Sequence, residues 1–383
     1  MSLFLLSFLL IYGGFHLYLF LRLKAALALP PWGLAAVVFF LLFMIGAPLL
    51  VRLAERSGYD RLAIFLAYFG YIWMGIVFVF FAAALAVDCY RLLIWGGGLI
   101  FHKKLLIQAG PKIAFYLPLA FSIFVSIWGS FEAWNIQLEK VTLAHEKVPA
   151  SLNGFKIVQI SDVHLGLIVR HRRLRKILEV VKKAGPDLLV STGDLVDGQI
   201  NNLEGLAEML QEIKPKYGKY AVTGNHEFYA GLDEALAFTE KAGFVVLRNR
   251  AVSVNENLNI AGVDDRTWQY MGNGPAVSEA AMLQALDRKK FTLLLKHRPE
   301  IDKGSLGLFD LQLSGHTHKG QIFPFNLVTM LYFPVHWGCI NPVDHCYLYV
   351  SRGSGTWGPP IRFLSPPEVT LIELVSKNGK ESN

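Results

Sequence analysis

Aspartate, asparagine and histidine side chains recur at the ends of apolar runs in the second half of the chain. They form five short blocks, Asp162-Val-His164, Gly193-Asp194, Gly224-Asn225-His226, His297 and Gly315-His316-Thr-His318. Residues two apart point to the same side of an extended strand end, so each Asp-x-His or His-x-His pair can reach one ion. Oxygen and nitrogen ligands without a thiolate suit Mn²⁺, Fe or Zn²⁺ better than Mg²⁺ or Ca²⁺. The set is large enough for two divalent ions sharing one carboxylate, and paired metals most often hydrolyse phosphate esters.

Each block follows an apolar run that predicts a β-strand, and amphipathic helices separate the first strands. The predicted strands are 155–160, 187–190, 219–222, 244–247, 252–254, 259–263, 291–295 and 310–313, and the predicted helices are 174–184, 203–213 and 232–242. Alternating strands and helices predict an α/β fold with a mostly parallel first sheet, and the later helix-poor stretch predicts a second sheet. Ligands of open α/β sheets collect beyond the carboxyl ends of strands, so the blocks are expected to converge.

In this order, the blocks resemble the calcineurin-like metallophosphoesterase family over roughly residues 155–330. The resemblance implies a fold of two β-sheets sandwiched between helices. It implies two metal ions, with Mn²⁺ the expected ion and Fe or Zn²⁺ the alternatives. One ion would be held by Asp162, His164, Asp194 and His318, and the other by Asp194, Asn225, His297 and His316. Two cations about 3.5–4 Å apart would lower the pKa of a bridging water, which then attacks phosphorus in line.

Three further residues of the blocks receive roles that do not involve metal binding. The resemblance implies that His226 is catalytic and protonates or stabilises the leaving oxygen. Glu227 stands where many family members have aspartate, and it is expected to orient His226. Asp197 is expected to hydrogen-bond a ligand's imidazole from outside, although it could simply cap a helix. Asp264 and Asp265 follow a strand but match no block, and they are interpreted as turn residues.

The first 131 residues contain four runs without a formal charge, at 3–21, 34–51, 62–87 and 113–131. Each is long enough, as a helix, to span a hydrocarbon core of about 30 Å, so a transmembrane domain of four helices is expected. Because the runs contain no acidic or basic residue, they indicate an anchor rather than an ion pathway. The apolar stretch 92–101, interrupted by Gly96-Gly97-Gly98, is expected to lie on the surface or to re-enter. A connector at 132–154, a metallophosphoesterase domain at 155–376 and a polar tail at 377–383 complete the predicted organisation.

The net charge of +7 is concentrated beside the predicted spans. The first 140 residues contain ten Lys and Arg against five Asp and Glu, and the remainder contains 27 against 25. A nearly neutral second half argues against a nucleic-acid partner. The basic loop residues are divided almost evenly between the two sides, with a slight preference for a soluble domain on the non-cytoplasmic side of a bacterial inner membrane. Protein partners are not predicted by any motif.

Two segments near the blocks fit an amphiphilic phosphate substrate drawn from a lipid bilayer. Arg170, Arg172 and Arg173 follow the first block, where they could bind phosphates or anionic headgroups or form a solvated helix face. Residues 322–337 are apolar and aromatic, and they could receive acyl chains, enter the bilayer or form ordinary sheet core.

The order of four spans and then this domain resembles the transmembrane metallophosphoesterases of bacteria, which are related to UDP-2,3-diacylglucosamine hydrolases of lipid A synthesis. That resemblance implies a lipid-linked pyrophosphate as the substrate. A broad-specificity phosphodiesterase or nuclease, and a non-enzymatic membrane scaffold with a metal site, are the alternatives. A transporter with a regulatory domain is disfavoured because the spans are uncharged.

Overall fold

The computed structural model describes residues 3–100, 110–198, 203–272, 274 and 277–377. They form two compact units, one reaching Phe131 and including Gly358–Ile361, the other comprising Glu132–Trp357 and the chain from Arg362 onward. The chain begins with α1 (Leu3–Ala26), α2 (Pro31–Arg56), α3 (Asp60–Ile100) and α4 (Pro111–Trp134). Each of these four helices is long and apolar enough to cross a membrane, which confirms the four predicted apolar helices.

Helix α3 differs most from the sequence prediction. It continues through Gly96–Gly98 to Ile100, so the stretch predicted to lie on the surface or to re-enter is part of one 41-residue helix. A helix of that length measures about 60 Å, roughly twice the hydrocarbon core, so part of α3 extends beyond the core. Glycine lowers helix propensity by about 1 kcal/mol but keeps its N–H, so three glycines weaken a helix without breaking it as proline would. Phe101, the last residue of that prediction, lies outside the described residues.

Two sets of polar side chains within the first unit find partners there. The two ring nitrogens of His16 lie 2.8 Å from the Tyr12 carbonyl oxygen and 2.9 Å from Trp73 Nε1. One ring nitrogen therefore donates and the other accepts, which satisfies a neutral imidazole. Asp88 accepts a hydrogen bond from the Tyr18 hydroxyl at 2.6 Å and forms an ion pair with Arg22.

The second unit contains two six-stranded sheets and seven helices among the described residues. Its strands are β1 (Gln137–His145), β2 (Phe155–Ile160), β3 (Leu188–Ser191), β4 (Lys219–Ala221), β5 (Val245–Val246), β6 (Arg250–Ser253), β7 (Leu258–Val263), β8 (Phe291–Lys296), β9 (Leu311–Ser314), β10 (Gly338–Val343), β11 (Cys346–Val350) and β12 (Glu368–Ser376). Its helices are α5 (His171–Ala184), α6 (Leu206–Gln211), α7 (Asn225–Ala230), α8 (Leu232–Lys241), α9 (Thr267–Tyr270), α10 (Glu279–Gln284) and α11 (Phe325–Tyr332).

The first sheet has the order β1-β12-β2-β3-β4-β5, and the second has the order β10-β11-β9-β8-β7-β6. Strands β2 to β5 run parallel to one another, as do β7, β8, β9 and β11. The antiparallel pairs are β12 with β2, β6 with β7 and β10 with β11. The predicted α/β class, the mostly parallel first sheet and the separate second sheet are therefore confirmed. Parallel strands end at the same edge of a sheet, so the loops after β2, β3 and β4 emerge together, as do those after β8 and β9.

Apolar side chains cover both faces of the first sheet. Ile157 and Val190 pack between the two sheets, together with Leu293 of the second sheet. Val158, next along the chain, points to the opposite face and packs with Ile177 of α5. Because both faces are covered, these strands have apolar residues on both faces rather than a strict alternation of apolar and polar residues. This explains why β2 and β3 were recognisable from the sequence.

The segment predicted as a connector, 132–154, contains a strand of the first sheet, which corrects that prediction. Strand β1 pairs in parallel with β12, from Gln137 opposite Glu368 to His145 opposite Ser376. The two strands are more than 200 residues apart in the chain, and a local sequence pattern carries no information about a partner that distant. Beyond Lys377, the predicted polar tail lies outside the described residues.

Candidate metal centre

The candidate ligands meet at the carboxyl ends of strands from both sheets. They are Asp162 and His164 after β2, Asp194 after β3, Asn225 after β4, His297 after β8, and His316 and His318 after β9. The structure therefore brings together all seven side chains that the sequence proposed as ligands. Six of them are buried and the seventh, His316, is half-buried. Polar groups buried in this number require partners or an ion.

The first group of possible ligands contains two carboxylates and two imidazoles. His318 Nε2 lies 3.4 Å from Asp162 Oδ1 and 3.1 Å from His164 Nε2. His164 Nε2 lies 3.8 Å from Asp194 Oδ2. Atoms bound about 2.1 Å from one ion at tetrahedral or octahedral angles are about 3.0–3.4 Å apart. The spacing of this group is therefore close to that of the edges of a metal's coordination shell.

The second group shares the same carboxylate. Asp194 Oδ2 lies 3.3 Å from His297 Nε2, which lies 3.1 Å from His316 Nδ1. Asn225 Oδ1 is buried without a hydrogen-bond partner. Such an unpaired amide oxygen costs about 1–3 kcal/mol, and a cation would remove that cost. One oxygen of Asp194 thus belongs to both groups, as expected for a carboxylate between two ions.

The backbone at this site is held in an unfavourable conformation. Asp162, His164, Asp194, His316 and His318 have positive φ values of 51°, 54°, 50°, 70° and 49°. Left-handed backbone in residues other than glycine costs about 1–3 kcal/mol each, and it persists where the surroundings enforce it. The loops are therefore stabilised in a conformation that aims their side chains inward.

Glycines before the ligands allow the loops to approach one another closely. A Cβ atom on Gly224 would collide with the Asp194 carboxylate, and a Cβ on Gly315 would collide with Ser161 and the Asp162 carboxylate. Gly193 has φ +94°, and its Cβ would lie 2.8 Å from His297 Nδ1. The glycine that begins three of the blocks is thus required by contact between loops.

The protonation pattern of His297 suits a ligand. Its Nδ1 lies 2.8 Å from the Thr192 carbonyl oxygen and donates to it, so Nε2 faces the centre and can bind an ion in place of a proton. Burial lowers the pKa of His297, but Asp194, Asp162 and Asp265 outweigh burial and raise the pKa to about 10. The surplus of carboxylates in the cluster therefore attracts positive charge.

Two arginines that were not among the residues predicted from the sequence lie against His316 and His318, the paired histidines. Each arginine contacts the ring nitrogen that faces away from the other ligands. Arg298 Nη1 lies 2.9 Å from His316 Nε2, and Arg362 Nη2 lies 3.1 Å from His318 Nδ1. Burial and these charges hold the pKa of both imidazoles well below the usual range, so the rings stay neutral and able to bind metal. Arg298 follows a ligand directly, but Arg362 lies 44 residues after His318 and had no local signal.

Asp265 positions Arg298, which corrects the interpretation of Asp264 and Asp265 as turn residues. The Asp265 carboxylate accepts from Arg298 Nε at 2.7 Å, and its side chain is fully buried. Asp264 is also buried and pairs with Arg248 at 3.0 Å. Both aspartates follow β7 at its carboxyl end, the same position as the ligand blocks, and that placement was the signal for their role.

We expect Asp265→Ala to destabilise the protein and to weaken metal binding. Removing one partner of a buried ion pair costs about 3 kcal/mol or more because the remaining charge stays buried. Asp265 orients Arg298, which contacts the proposed ligand His316. Loss of a hydrogen-bonded partner of a metal ligand typically weakens metal affinity by about 10–100-fold. Thermal unfolding and a metal titration measure the two effects.

Glu300→Ala is the matched control because Glu300 forms an exposed ion pair with Arg266 at 2.8 Å. We expect this variant to keep the Tm of the unaltered protein, since exposed pairs contribute little. If both variants lose the same stability and affinity, Asp265 has no special relation to the centre.

His226 lies beside the ligands and carries a proton. Its Nδ1 is 2.9 Å from Asp197 Oδ1, which is also 3.7 Å from His164 Nδ1. Burial lowers the pKa of His226, but Asp194 and Asp197 outweigh burial and raise the pKa to about 9. His226 also lies within ligand distance of His164 and Asp194.

Glu227 holds the loop that carries Asp194. Its Oε2 accepts the N–H groups of Asp194 and Gly224 at 3.0 and 2.6 Å, and its Oε1 accepts those of Leu195 and Val196 at 2.8 and 3.3 Å. The role that the resemblance implied for Glu227, orienting His226, belongs instead to Asp197. A glutamate reaches these amides because α7 begins at Asn225 and places Glu227 in its first turn.

We expect Glu227→Gln to lower the Tm of the metal-free protein by several degrees. A glutamine amide has one oxygen, so its NH₂ group would face two N–H donors and leave them unpaired, at about 1–3 kcal/mol each. Glu240→Gln, on the exposed face of α8, is the control and should leave the Tm unchanged. Equal Tm values for the two apoproteins would show that Glu227 does not hold the loop.

The three arginines proposed to contact substrate lie around the start of α5. Arg170 precedes the helix and is half-buried, Arg172 is exposed and Arg173 is buried. The guanidinium carbons of Arg172 and Arg173 lie 6.0 and 5.4 Å from the centre of the Trp134 ring. Substrate binding by these residues stays a prediction.

Comparisons with known proteins agree with the fold and the geometry. Residues 155–320 match the family model described as calcineurin-like phosphoesterase. An uncharacterized metallophosphoesterase of Aquifex aeolicus is 41% identical over 259 residues, covering 67% of this chain and 99% of the relative. An uncharacterized metallophosphoesterase of Campylobacter jejuni is 30% identical over 386 residues, covering 96% of this chain and 97% of the relative. A transmembrane protein with metallophosphoesterase domain of Danio rerio is 36% identical over 247 residues, covering 61% of this chain and 56% of the relative.

The chain belongs to the calcineurin-like phosphoesterase family. It is a membrane protein and a hydrolase of phosphoester bonds. The family resemblance stated from the sequence blocks is thereby confirmed.

Proposed function

We propose that the chain hydrolyses a phosphodiester or pyrophosphate bond in an amphiphilic, lipid-linked substrate at a centre for two divalent ions. The observation that carries this proposal is the position of Asp194. One oxygen of its carboxylate lies 3.8 Å from His164 Nε2 in the first group and 3.3 Å from His297 Nε2 in the second. A single carboxylate shared by two sets of ligands is an arrangement for paired ions.

Both ligand groups fit divalent metals. The first ion would be held by Asp162, His164, Asp194 and His318, and the second by Asp194, Asn225, His297 and His316. Mn²⁺ is our first choice because oxygen and nitrogen donors are mixed, and Fe and Zn²⁺ also suit this set. When bound, two such ions supply Lewis acidity toward the phosphate and lower the pKa of a shared water.

His226 is proposed to give its proton to the leaving oxygen. Asp197 accepts from Nδ1 and fixes the ring, so Nε2 is the nitrogen free to transfer a proton. The backbone N–H of His226 donates to Asp194 Oδ1 at 2.9 Å, which holds the ring beside the centre. Proton transfer from a positioned group contributes about 10²–10⁴-fold to rate.

An amphiphilic substrate is proposed because the chain joins four apolar helices to a domain that has a basic helix start at α5 and an apolar segment at 322–337. UDP-2,3-diacylglucosamine is the specific candidate, since its pyrophosphate and acyl chains would use a basic and an apolar surface. We also propose a bacterial inner membrane as the location, with a slight preference for the non-cytoplasmic side. A maleimide accessibility test on Lys140→Cys, an exposed position on β1, would establish the side.

The proposal is tested with the full chain in lipid nanodiscs loaded with Mn²⁺. The substrates are bis-p-nitrophenyl phosphate, UDP-2,3-diacylglucosamine and UDP-N-acetylglucosamine, which has the same pyrophosphate without acyl chains. We expect hydrolysis of the activated diester and a higher kcat/KM for the acylated than for the water-soluble nucleotide sugar. Equal kcat/KM for the two sugars would exclude a lipid-linked preference, and no turnover of any substrate by metal-loaded protein would exclude the phosphoesterase.

A further inference from the structure

Helix α11 presents a dense apolar surface to its surroundings. Its exposed apolar side chains are Phe325, Leu327, Val328, Met330, Leu331 and Tyr332. The last two are 82% and 77% exposed. The chain has no formal charge from Gly320 to Val343. Soluble surfaces rarely keep apolar side chains clustered in this way, so the patch is expected to have a partner. The segment therefore differs from the ordinary sheet core that was one alternative from its sequence.

Hydrogen bonds connect the start of α11 to the last turn of α4. The Phe323 N–H donates to the Phe363 carbonyl oxygen at 3.1 Å. The next two residues of that segment, Leu364 and Ser365, donate their N–H groups to the Glu132 carboxylate at 3.3 and 2.8 Å. Glu132 lies in the last turn of α4, a helix apolar enough to cross a membrane. The base of α11 is thus held close to the last turn of α4, the exit point at which a membrane-spanning α4 would leave the bilayer.

Three basic side chains lie near the same last turn of α4. Trp134 ends α4, and the side chains of Arg172, Arg173 and Lys176 lie 6.0, 5.4 and 5.3 Å from the centre of its ring. Arg172 and Lys176 are exposed. Tryptophan at the end of a span sits at headgroup level, and exposed cations beside it match the negative charge of anionic lipids.

We propose that α11 lies in the membrane interface, with its apolar face among the upper acyl chains and with anionic headgroups against Arg172 and Lys176. The occupant of the patch is the lipid bilayer that holds α4. A short apolar helix tied to the end of a span, next to exposed cations, has the composition of an interfacial helix. The inference concerns lipid binding alone and holds whether or not the proposed reaction is correct.

The segment that follows α11 reaches the candidate metal centre. The Phe333 ring lies 5.3 Å from the His316 ring, and the Thr317 hydroxyl donates to the His336 carbonyl oxygen at 2.6 Å. Lipid contact at α11 would therefore place the paired histidines next to the headgroup layer.

The depth of α11 is measured with an environment-sensitive fluorophore at Leu331→Cys in the full chain, in nanodiscs containing phosphatidylglycerol. The exposed native thiols are removed by Cys89→Ser and Cys339→Ser. We expect spin-labelled lipids to quench the label, and a nitroxide near the headgroup to quench more than one at the end of the acyl chain. The apolar face of an interfacial helix enters the bilayer by only about 5–10 Å, so the nitroxide near the headgroup should quench the label more strongly.

The control label is placed at Val245→Cys on β5. Val245 is also an exposed apolar residue, but it lies far from the end of α4. Strand β1 directly follows α4, and β5 is five strands away from β1, roughly 24 Å across the sheet. It should not be quenched. Equal quenching at the two positions would overturn the proposal. A blue-shifted, unquenched label at 331 would also overturn it, because the patch would then be covered by protein, such as a second copy of the chain.

The contact between anionic headgroups and the side chains of Arg172 and Lys176 is tested separately. In nanodiscs of phosphatidylcholine alone, we expect weaker shallow quenching at position 331 than with phosphatidylglycerol present. The double variant Arg172→Gln with Lys176→Gln should lose this response while Lys182→Gln with Lys183→Gln, at the other end of α5, keeps it. If both double variants respond to phosphatidylglycerol as the unaltered protein does, Arg172 and Lys176 do not bind headgroups.

Discussion

Asp194→Asn is expected to abolish hydrolysis and to reduce bound metal. The variant keeps the shape of the side chain but removes the charge shared by the two ligand groups, whose nearest imidazole nitrogens lie 3.3 and 3.8 Å from Asp194 Oδ2. We expect kcat/KM for bis-p-nitrophenyl phosphate to fall by about 10³-fold or more, which corresponds to roughly 4 kcal/mol of lost transition-state stabilisation. Steady-state kinetics and elemental analysis of the purified variant measure the two effects.

The control for this variant lies at the other end of the same strand. Asp187 precedes β3 and accepts the Lys156 N–H at 2.9 Å, a hydrogen bond that an asparagine oxygen can also accept. Asp187→Asn should therefore keep both metal and activity. An Asp194→Asn protein that bound the full complement of metal and hydrolysed the ester at the normal rate would contradict the role of Asp194.

His226→Gln is expected to slow hydrolysis without loss of metal. If His226 protonates the leaving oxygen, its removal should lower kcat by about 10²–10⁴-fold for an ester with an alkyl alcohol as the leaving group. The loss should be much smaller for a nitrophenyl ester, because nitrophenolate leaves readily without a proton. Comparison of kcat for the two esters, with metal content measured in parallel, is the experiment.

The leaving-group dependence separates a proton donor from a residue that only supports the site. An equal loss of kcat for both esters would show that His226 acts through something other than the leaving oxygen. Loss of metal in the variant would place His226 among the ligands, a geometry that its proximity to His164 and Asp194 permits. Asp197→Asn should reproduce the His226→Gln pattern in weaker form, since Asp197 holds the imidazole at 2.9 Å.

The strands that carry the ligands were predictable because their signals are local. Strand β2 is a short, mostly apolar run that ends at Ile160, just before Asp162, and β3 ends at Ser191, just before Asp194. In a parallel sheet those ends must lie at one edge, so convergence of the blocks follows from topology. The positive φ values of the ligands were not predictable, since they arise from contacts between loops.

The residues that were missed depend on partners far away in the chain. Arg362 is fully buried and contacts His318 across 44 residues, and β1 pairs with a strand more than 200 residues later. Asp265 pairs with Arg298 only after β7 and β8 have aligned. The local periodicity of the sequence does not indicate any of these pairings. Helix α11 was unpredicted for a different reason, because a short apolar run is compatible with a strand, a buried helix or an interfacial helix.

The central claim, two ions joined by Asp194, is tested most directly by anomalous diffraction from crystals of the full chain grown with Mn²⁺. Data collected at the manganese absorption edge should show two peaks about 3.5–4 Å apart, one on each side of the Asp194 carboxylate. His164 and His318 should lie on one peak, and His297 and His316 on the other. A single peak, or peaks away from these side chains in crystals that contain saturating Mn²⁺, would contradict the account.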